Sequence, residues 1–461
     1  MKSVQVITLG CSKNTVDTEH LLAQLPGDRF NVLSEDWTGP VDYLLVNTCG
    51  FIGDAKEESI QMLLSQAERR KTGTAGRLFA FGCLSQRYAA ELPALIPEVD
   101  AWFGARDLDP IVLALGAHPS DALRTSRHFN GRASAYLKIS EGCDRRCSYC
   151  AIPFIRGAHR SVPIEKIVEE AEKLAAQGVK ELLLIAQDTT YYGLDLYGRR
   201  RLADVLRALS EVPGIEWLRI HYSYPEGFPE DVLRELADNP KVCRYMDIPL
   251  QHIADKVLSN MHRHVDGAWT RQLIKHLREE VPGVALRTTL IVGHPGEGES
   301  EFQELLDFVR EARFERLGAF MYSEEEGTWG AQHLKDDVPQ EEKQRRYDEL
   351  MSLQQKISAE CNAARVGREY RVLVDSVLDG KLIARSEFES PEVDGEIIVT
   401  CPEGTDTAAL VGKFINVRIT EALEYDLLAE ALCPYQEFDP GLIERPEFEI
   451  EYDREEDYND M

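Results

Sequence analysis

Three cysteines stand close together in the short stretch 141–150. Cys143, Cys147 and Cys150 follow a strand-like run at 135–139. Thiolates at this spacing can share one metal centre, and iron–sulfur clusters are usually held by cysteine thiolates. A four-iron cluster takes four ligands, but the next cysteines are far away along the chain, so we expect one iron to stay open. The alternatives are a disulfide and a structural zinc site, although zinc prefers paired cysteines and four protein ligands.

A second set of three cysteines is spread over the amino-terminal part of the chain. Cys11, Cys49 and Cys83 each come directly after an apolar, strand-like run. In a parallel sheet the carboxyl ends of the strands, where ligands bind, lie along one edge. A single cysteine after a strand is more often a small buried hydrophobic residue than a ligand. Three in register, about one strand–helix unit apart, indicate a second three-thiolate site.

Strands alternate with helices over residues 1–117, which predicts an α/β domain with a doubly wound parallel sheet. The predicted strands are 4–9, 42–48, 77–81 and 99–104, and the predicted helices between them include 15–25 and 55–67. A polar, irregular segment at 118–131 is typical of a linker.

Residues 129–360 alternate again, through six strand–helix units. The predicted strands are 135–139, 181–186, 217–221, 245–248, 285–292 and 317–322, and a charged helix follows at 339–364. Six such units predict an incomplete parallel barrel, a partial (β/α)6 fold, whose chemistry lies at the carboxyl ends of the strands. The cysteine loop falls at such an end, as do Gln187, Tyr222, Gln251 and Gly293.

The pattern changes to short strands over residues 365–433. Turn residues separate runs at 370–374, 382–385, 396–400 and 414–419, which predicts a small antiparallel β-barrel. Such barrels commonly bind RNA, but this segment carries 14 Asp and Glu against 7 Lys and Arg and would repel a phosphate backbone. We therefore expect a basic protein as its partner. Residues 434–461 are acidic and poor in aliphatic side chains, which predicts a flexible tail.

The composition of the whole chain agrees with a multidomain globular protein. Its 461 residues favour two to four domains, and its formal net charge is −28. A net negative charge alone can be explained by solubility. It indicates a basic partner only together with the excess of Asp and Glu in the barrel at 365–433. The first residues have only a short apolar run and no small-residue cleavage site, so we expect no signal peptide. No apolar window reaches membrane-spanning length, and we expect a cytoplasmic protein that does not bind membranes.

Over nearly its whole length the chain resembles the methylthiotransferases of the radical S-adenosylmethionine (SAM) superfamily. The CxxxCxxC loop carries an aromatic residue before its last cysteine. The order of domains is also similar: an amino-terminal domain with three separated cysteines, a radical SAM barrel and a TRAM β-barrel. One branch of this family modifies transfer RNA and another a ribosomal protein. The segments LGCSKNTVDTE (9–19), NTCGFI (47–52), AKEESI (55–60) and SPEVDG (390–395) are similar to the ribosomal-protein branch. The tRNA branch typically has Gln-Met-Asn where this chain has Ser12, Lys13 and Asn14.

The resemblance implies methylthiolation of the β-carbon of one aspartate in small-subunit ribosomal protein number twelve, a highly basic protein. It implies two four-iron four-sulfur clusters, one that cleaves SAM to a 5′-deoxyadenosyl radical and one that presents the sulfur, with a second SAM donating the methyl group. The implied ligands are Cys143, Cys147 and Cys150 for the first cluster and Cys11, Cys49 and Cys83 for the second.

The same resemblance assigns two SAM contacts and three partners. It implies that Tyr149 lies by the adenine and Gln187 by the methionine moiety of SAM, although the chain lacks the GGE motif that some members show there. It also implies an electron donor of flavodoxin or ferredoxin type, a sulfur source, and a substrate that is modified either free or on the small subunit. Two alternatives remain open: a tRNA methylthiotransferase acting on an adenosine beside the anticodon, and a non-catalytic iron–sulfur or zinc scaffold that binds ribosomes.

Overall fold

Three β-structures follow one another along the chain. The computed structural model describes residues 1–432, so the predicted tail at 434–461 lies outside the described residues. A five-stranded sheet is followed by a six-stranded sheet and a closed five-stranded barrel, and a small two-stranded sheet accompanies them. The predicted fold class is therefore confirmed. Within residues 1–432, no helix combines the length and the apolar character needed to cross a membrane.

The first sheet is parallel throughout and has the order β2-β1-β3-β4-β5. Its strands are β1 (Lys2–Thr8), β2 (Phe30–Val32), β3 (Val41–Thr48), β4 (Ala75–Gly82) and β5 (Ala101–Trp102). Neighbouring residues of β3 face opposite sides: Tyr43 and Leu45 join one apolar cluster, and Leu44 and Val46 join another. Because both faces are covered, the strands are apolar throughout, as the doubly wound prediction requires.

The helices of this first part cover the two faces of the sheet. They are α1 (Ser12–Ala23), α2 (Gly53–Lys71), α3 (Cys83–Arg87), α4 (Leu92–Leu95) and α5 (Asp109–Ala114), followed by a 3₁₀ turn at Asp121–Leu123. Helix α1 begins earlier than the predicted residue 15 because Cys11, in an extended conformation, is already its N-cap. The edge strand β2 was not predicted. It is only three residues long and follows a run of exposed residues.

The second sheet is the predicted partial barrel. Its parallel strands have the order β13-β12-β11-β10-β9-β6. They are β6 (Ser134–Lys138), β9 (Glu181–Ile185), β10 (Trp217–Ile220), β11 (Val242–Asp247), β12 (Ala285–Val292) and β13 (Arg316–Met321); β7 (Ser140–Glu141) and β8 (Arg160–Ser161) form the small antiparallel pair. All six barrel strands were predicted to within a few residues.

Helices connect the strands of this barrel, and the last one leads to the third unit. They are α6 (Ile152–Arg156), α7 (Ile164–Ala176), α8 (Leu194–Tyr197), α9 (Leu202–Ser210), α10 (Glu230–Asp238), α11 (Asp255–Asn260), α12 (Gly267–Glu280), α13 (Glu299–Ala312), α14 (Trp329–His333) and α15 (Gln340–Ala363), with a 3₁₀ turn at Thr189–Tyr191. Helix α15, predicted at 339–364, packs against β13 and α13.

The third unit is a closed barrel with the order β14-β15-β16-β18-β17. Its strands are β14 (Glu369–Leu378), β15 (Lys381–Arg385), β16 (Ile397–Thr400), β17 (Phe414–Ala422) and β18 (Leu427–Ala431), with a 3₁₀ turn at Ala408–Leu410. The prediction of an antiparallel barrel needs one correction, because β16 and β18 pair in parallel. An odd number of strands cannot alternate in direction all round a closed ring, so one pair must run in parallel. The fifth strand, β18, was not predicted.

Buried ion pairs join this small barrel to the larger one. Arg219 and Arg385 both bind Glu181, at 2.8 Å each, and none of the three side chains is more than 3% exposed. Nearby, Glu389 accepts hydrogen bonds from Arg365 and, at 3.0 Å, from Arg316. Burial alone would raise the pKa of Glu389, but these two arginines hold it at about 2. Part of the acidic charge counted at 365–433 is therefore neutralised inside this interface.

Candidate functional site

One cavity of about 430 Å³ is lined by all eight residues predicted as cluster ligands or SAM contacts. Of the other residues predicted at the barrel mouth, Tyr222 and Gln251 also line it, whereas Gly293 does not. It lies where loops after β1, β3 and β4 of the first sheet meet the loops at the carboxyl ends of the barrel strands. Its lining includes Cys11, Cys49, Cys83, Cys143, Cys147, Cys150, Tyr149 and Gln187. The two sets of three cysteines, more than 50 residues apart in sequence, thus face a common space between two domains.

Close packing of loops brings Cys11, Cys49 and Cys83 together. Gly10 has a φ of +91°, and a β-carbon there would lie 2.7 Å from the β-carbon of Cys49. Gly82 has a φ of +100°, and a β-carbon on it would lie 2.6 Å from the carbonyl oxygen of Thr48. Glycine is the residue that tolerates both the positive φ and the close approach. The glycines beside the cysteines therefore let the ends of β1, β3 and β4 converge.

A buried arginine from the barrel reaches this amino-terminal trio. Arg156, at the end of α6, donates from Nε to Cys83 Sγ at 3.3 Å and from Nη2 to Asn14 Oδ1 at 2.6 Å. Its Nη1 donates to Asp17 at 2.7 Å and to Glu141 at 3.3 Å. Arg156 therefore connects both domains and places a positive charge against one of the thiols.

The loop that holds Cys143, Cys147 and Cys150 is fixed by main-chain hydrogen bonds. The N–H of Cys143 donates to the carbonyl of Gly157 at 3.0 Å, and that of Ser148 donates to Met261 at 3.0 Å. The Ser148 carbonyl accepts from the N–H of Gly330 at 2.7 Å. Arg263 lies over the loop, with Nη1 3.8 Å from Cys147 Sγ. The three thiols are thus held by neighbours from α11 and α14 as well as by the loop itself.

The chemistry of these six thiols fits iron–sulfur clusters. All are free, and burial raises the pKa of Cys83 and of Cys143 to about 12 each. A bound metal reverses this preference, because its positive charge favours the thiolate. Within residues 1–432, no group of three His, Cys, Asp or Glu side chains is arranged around a single ion. Three cysteine thiols on one wall of a cavity are the donor type that iron–sulfur clusters use.

The two predicted SAM contacts line the same cavity beside the barrel trio. Gln187 donates from Nε2 to Glu141 Oε1 at 2.7 Å, while its own Oε1 is buried and has no hydrogen-bond partner among the described residues. Tyr149 packs edge-on against His294, with ring centroids 6.4 Å apart, and burial raises its pKa far above the ordinary value. A polar atom without a partner beside an apolar ring suits a ligand with both polar and aromatic parts.

A chain of charges connects Gln187 to the amino-terminal trio. Glu141 pairs with Lys138 at 2.7 Å, and Lys138 also binds Asp17, which in turn pairs with Arg156. Burial alone would raise the pKa of Glu141, but Lys138 and Arg156 hold it at about 2. The carboxylate is therefore ionised at neutral pH, and the two halves of the site are held in a fixed relation.

Sequence reasoning missed several residues of this cavity. It assigned no role to Lys13, Arg145, Arg156 or Arg263, although all four line the cavity. Arg156 carried a usable signal, since it is the single charged residue in the otherwise apolar stretch 151–156 that directly follows the cysteine loop. Arg145 stands inside the cysteine loop itself, although its partner Asp188 is visible only in the folded chain. Arg263 carried no signal, because only folding brings it to Cys147.

Comparison with known families agrees with this division of the chain. Residues 137–309 match the radical SAM superfamily, and residues 366–432 match the TRAM domain. Residues 3–104 match a family described as uncharacterized protein family UPF0004. The chain thus combines a radical SAM barrel with one domain on each side.

Curated relatives match the chain over almost its whole length. The ribosomal protein uS12 methylthiotransferase RimO of Bacteroides fragilis is 48% identical over 437 residues, which cover 94% of this chain and 99% of the relative. RimO of Bacteroides thetaiotaomicron is 48% identical over 441 residues with the same coverage, and RimO of Flavobacterium johnsoniae is 48% identical over 429 residues, 93% of this chain and 97% of the relative. The chain belongs to the RimO family, which confirms the branch predicted from its sequence segments.

Solved structures show the same fold at low sequence identity. The radical SAM methyltransferase TsrM from Kitasatospora setae has a TM-score of 0.52 at 15% identity, covering 69% of this chain and 75% of its own. The cobalamin-dependent radical enzyme OxsB has a TM-score of 0.50 at 12% identity, covering 77% of this chain and 56% of its own. At these identities the likeness concerns the fold alone.

Proposed function

We propose that this chain transfers a methylthio group to the β-carbon of an aspartate in ribosomal protein uS12. The observation that carries the proposal is that two groups of three cysteines line one cavity. The curated relatives, which are named ribosomal protein uS12 methylthiotransferases, support it. An unactivated carbon–hydrogen bond must be broken and a sulfur inserted, and one cavity lined by two three-cysteine groups provides a place for both. We also propose that the chain divides into three domains for this function: an amino-terminal domain at 1–117, the radical SAM barrel at 129–360 and the TRAM barrel at 365–433.

Two clusters and SAM are the proposed cofactors. Cys143, Cys147 and Cys150 would hold one four-iron four-sulfur cluster, and Cys11, Cys49 and Cys83 would hold the other. When bound, the first supplies the electron that cleaves SAM to a radical, and the second supplies a coordination position for the transferred sulfur. Tyr149 would contact the SAM adenine, and Gln187 would offer its unpartnered oxygen to the methionine part.

The chain's own residues position these groups and receive the substrate. Arg156 favours the thiolate of Cys83, and the fixed loop around Cys143 holds the barrel trio in place. Phe51, Phe320 and Val393 line the cavity from the three parts of the chain, and between 37% and 53% of each is exposed. Such an apolar rim suits a protein loop that enters the cavity, and the net charge of −28 suits a basic protein.

The proposal includes partners that the reaction requires. An electron donor of flavodoxin or ferredoxin type supplies the reducing equivalents, and a sulfur source replenishes the inserted atom. Because the substrate is a ribosomal protein, the proposed compartment is the cytoplasm. Modification of uS12 either free or on the small subunit is compatible with the open cavity.

Mass analysis of products tests the proposed function. The anaerobically reconstituted protein is incubated with SAM and reductant, once with uS12 and once with unmodified tRNA. We expect uS12 to gain the mass of one methylthio group in place of one hydrogen, located on one aspartate by fragmentation. A uS12 variant with Asn at that aspartate is the matched substrate control. Modification of tRNA alone would contradict the proposal, and so would cluster loading without SAM cleavage.

A further inference from the structure

One cation of the cavity has neither a carboxylate nor a hydrogen-bond acceptor as its partner among the described residues. Lys13 lines the cavity but is only 8% exposed, and its Nζ lies 3.0 Å from the centroid of the Tyr222 ring. Within residues 1–432, Lys13 makes no salt bridge and no side-chain hydrogen bond. A contact with an aromatic face compensates only part of the cost of burying a charge. The position is therefore suited to an anion that enters the cavity from outside.

The surroundings of Lys13 add to this positive character. Helix α1 begins at the cavity with no side chain capping its amino end and no acidic residue in its first turn. Such an end carries a partial positive charge. The hydroxyl of Ser12, one residue earlier, is buried without a partner among the described residues. Tyr222 has a φ of +58°, a strained value for a large residue and of a kind found at binding sites.

The other cations of the cavity are already engaged. Arg145 pairs with Asp188 and Glu226, Arg156 with Asp17, and Arg287 with Asp247. Arg263 has no carboxylate partner, but it donates to the Pro249 carbonyl at 2.6 Å and lies against Cys147 of the barrel trio. Lys13 differs from all of them because it lies on the side of Cys11 and has no polar partner among the described residues.

We propose that Lys13 binds the side-chain carboxylate of the substrate aspartate. This inference rests on the proposed function. In aspartate the β-carbon is bonded directly to the carboxylate carbon, so an ion pair with Nζ would anchor the group that is one bond away from the reacting carbon. Lys13 comes from the first domain and packs on Tyr222 of the barrel, so the carboxylate would be held where the two domains meet. A substrate without a carboxylate would leave the charge unpaired, which makes Lys13 a specificity-determining residue.

The test measures the preference for aspartate over asparagine. Two peptides covering the uS12 target, one with Asp and one with Asn at the modified position, are titrated against the reconstituted protein with SAM present. We expect the unaltered protein to bind the Asp peptide at least about tenfold more tightly, the size of a desolvated charge-assisted contact. K13M should lose this preference, and K13R should keep part of it. K71M, which removes an equal charge at a half-exposed position far from the cavity, is the matched control and should behave as the unaltered protein.

Three further measurements distinguish substrate binding by Lys13 from a role in holding the cluster or SAM. K13M should retain its iron and its affinity for SAM, while uS12 product formed per 5′-deoxyadenosine falls at least about tenfold. An undiminished preference for the Asp peptide in K13M would overturn the proposal. Loss of iron in K13M would show that Lys13 supports the amino-terminal trio, and weaker SAM binding would show that it contacts the cofactor. Either result would overturn the proposal that Lys13 binds the substrate carboxylate. An unaltered protein that methylthiolates only tRNA would instead overturn the proposed function.

Discussion

Replacing Arg156 by Met should destabilise the protein and empty the amino-terminal trio selectively. The side chain is only 2% exposed and contacts Asp17, Asn14 and Cys83 across the domain boundary. Removing one member of a buried ion pair costs about 3–5 kcal/mol. Because Lys138 still neutralises Asp17, we expect the lower end, about 3 kcal/mol. For a cooperative unit of about 150–250 residues, the size range of the barrel domain, this corresponds to a fall of roughly 6–12 °C in Tm.

The effect of this change on iron follows from the thiol chemistry. Burial raises the pKa of Cys83, and Arg156 opposes that rise, so its loss favours the protonated thiol that cannot bind metal. Iron per chain in R156M should fall towards half, since only one trio is affected. The matched control is R124M, in the linker between the two domains, which removes a half-exposed pair with Asp109 worth under about 1 kcal/mol. Full iron and a Tm equal to that of R124M would refute the reasoning.

Two further predictions concern a glycine and a buried carboxylate. G10A should lower the iron content, because the new methyl group would clash with Cys49. The control is G116A, where φ is +85° and no atom lies within 4 Å, so the change adds only a torsional cost and the protein should keep its iron. Equal iron content in the two variants would contradict the packing argument. Glu389 has a pKa of about 2, below its ordinary 4.5, so its contribution to stability is complete above pH 4.5 and is lost as the pH falls towards 2. E389Q should therefore be about 3 kcal/mol less stable at pH 7, and its Tm should approach that of the unaltered protein on acidification; a constant Tm difference down to pH 2 would be evidence against this linkage.

The elements around the site were predictable because they depend on local patterns. Apolar runs that end in Gly10-Cys11, Cys49-Gly50 and Gly82-Cys83 mark strand ends, and parallel strands end along one edge of a sheet. The predicted convergence of three cysteines thus required no knowledge of distant contacts. The barrel strands followed from the same alternation, and their loops formed the predicted mouth.

Features that depend on contacts between domains could not be read from the sequence. Arg156 reaches Cys83 only because α6 packs against α3, and no local pattern encodes that packing. Lys13 lies in a segment that the sequence singled out, but its buried position without a polar partner among the described residues is visible only after folding. The parallel pair in the small barrel follows from ring closure, which depends on β18, a strand that was not recognised because Glu430 interrupts its apolar run.

The central claim is that the chain carries two separate clusters on one cavity, and counting iron and sulfide tests it most directly. Cys401, a half-buried cysteine that follows β16 and does not line the cavity, provides the control. After anaerobic reconstitution, the unaltered protein and a Cys401→Ala variant should each hold about eight irons per chain. Replacing Cys143, Cys147 and Cys150 together by Ala should leave about four, and the same change at Cys11, Cys49 and Cys83 should also leave about four. An unaltered protein with about four irons, or a triple variant that loses all of them, would contradict the claim.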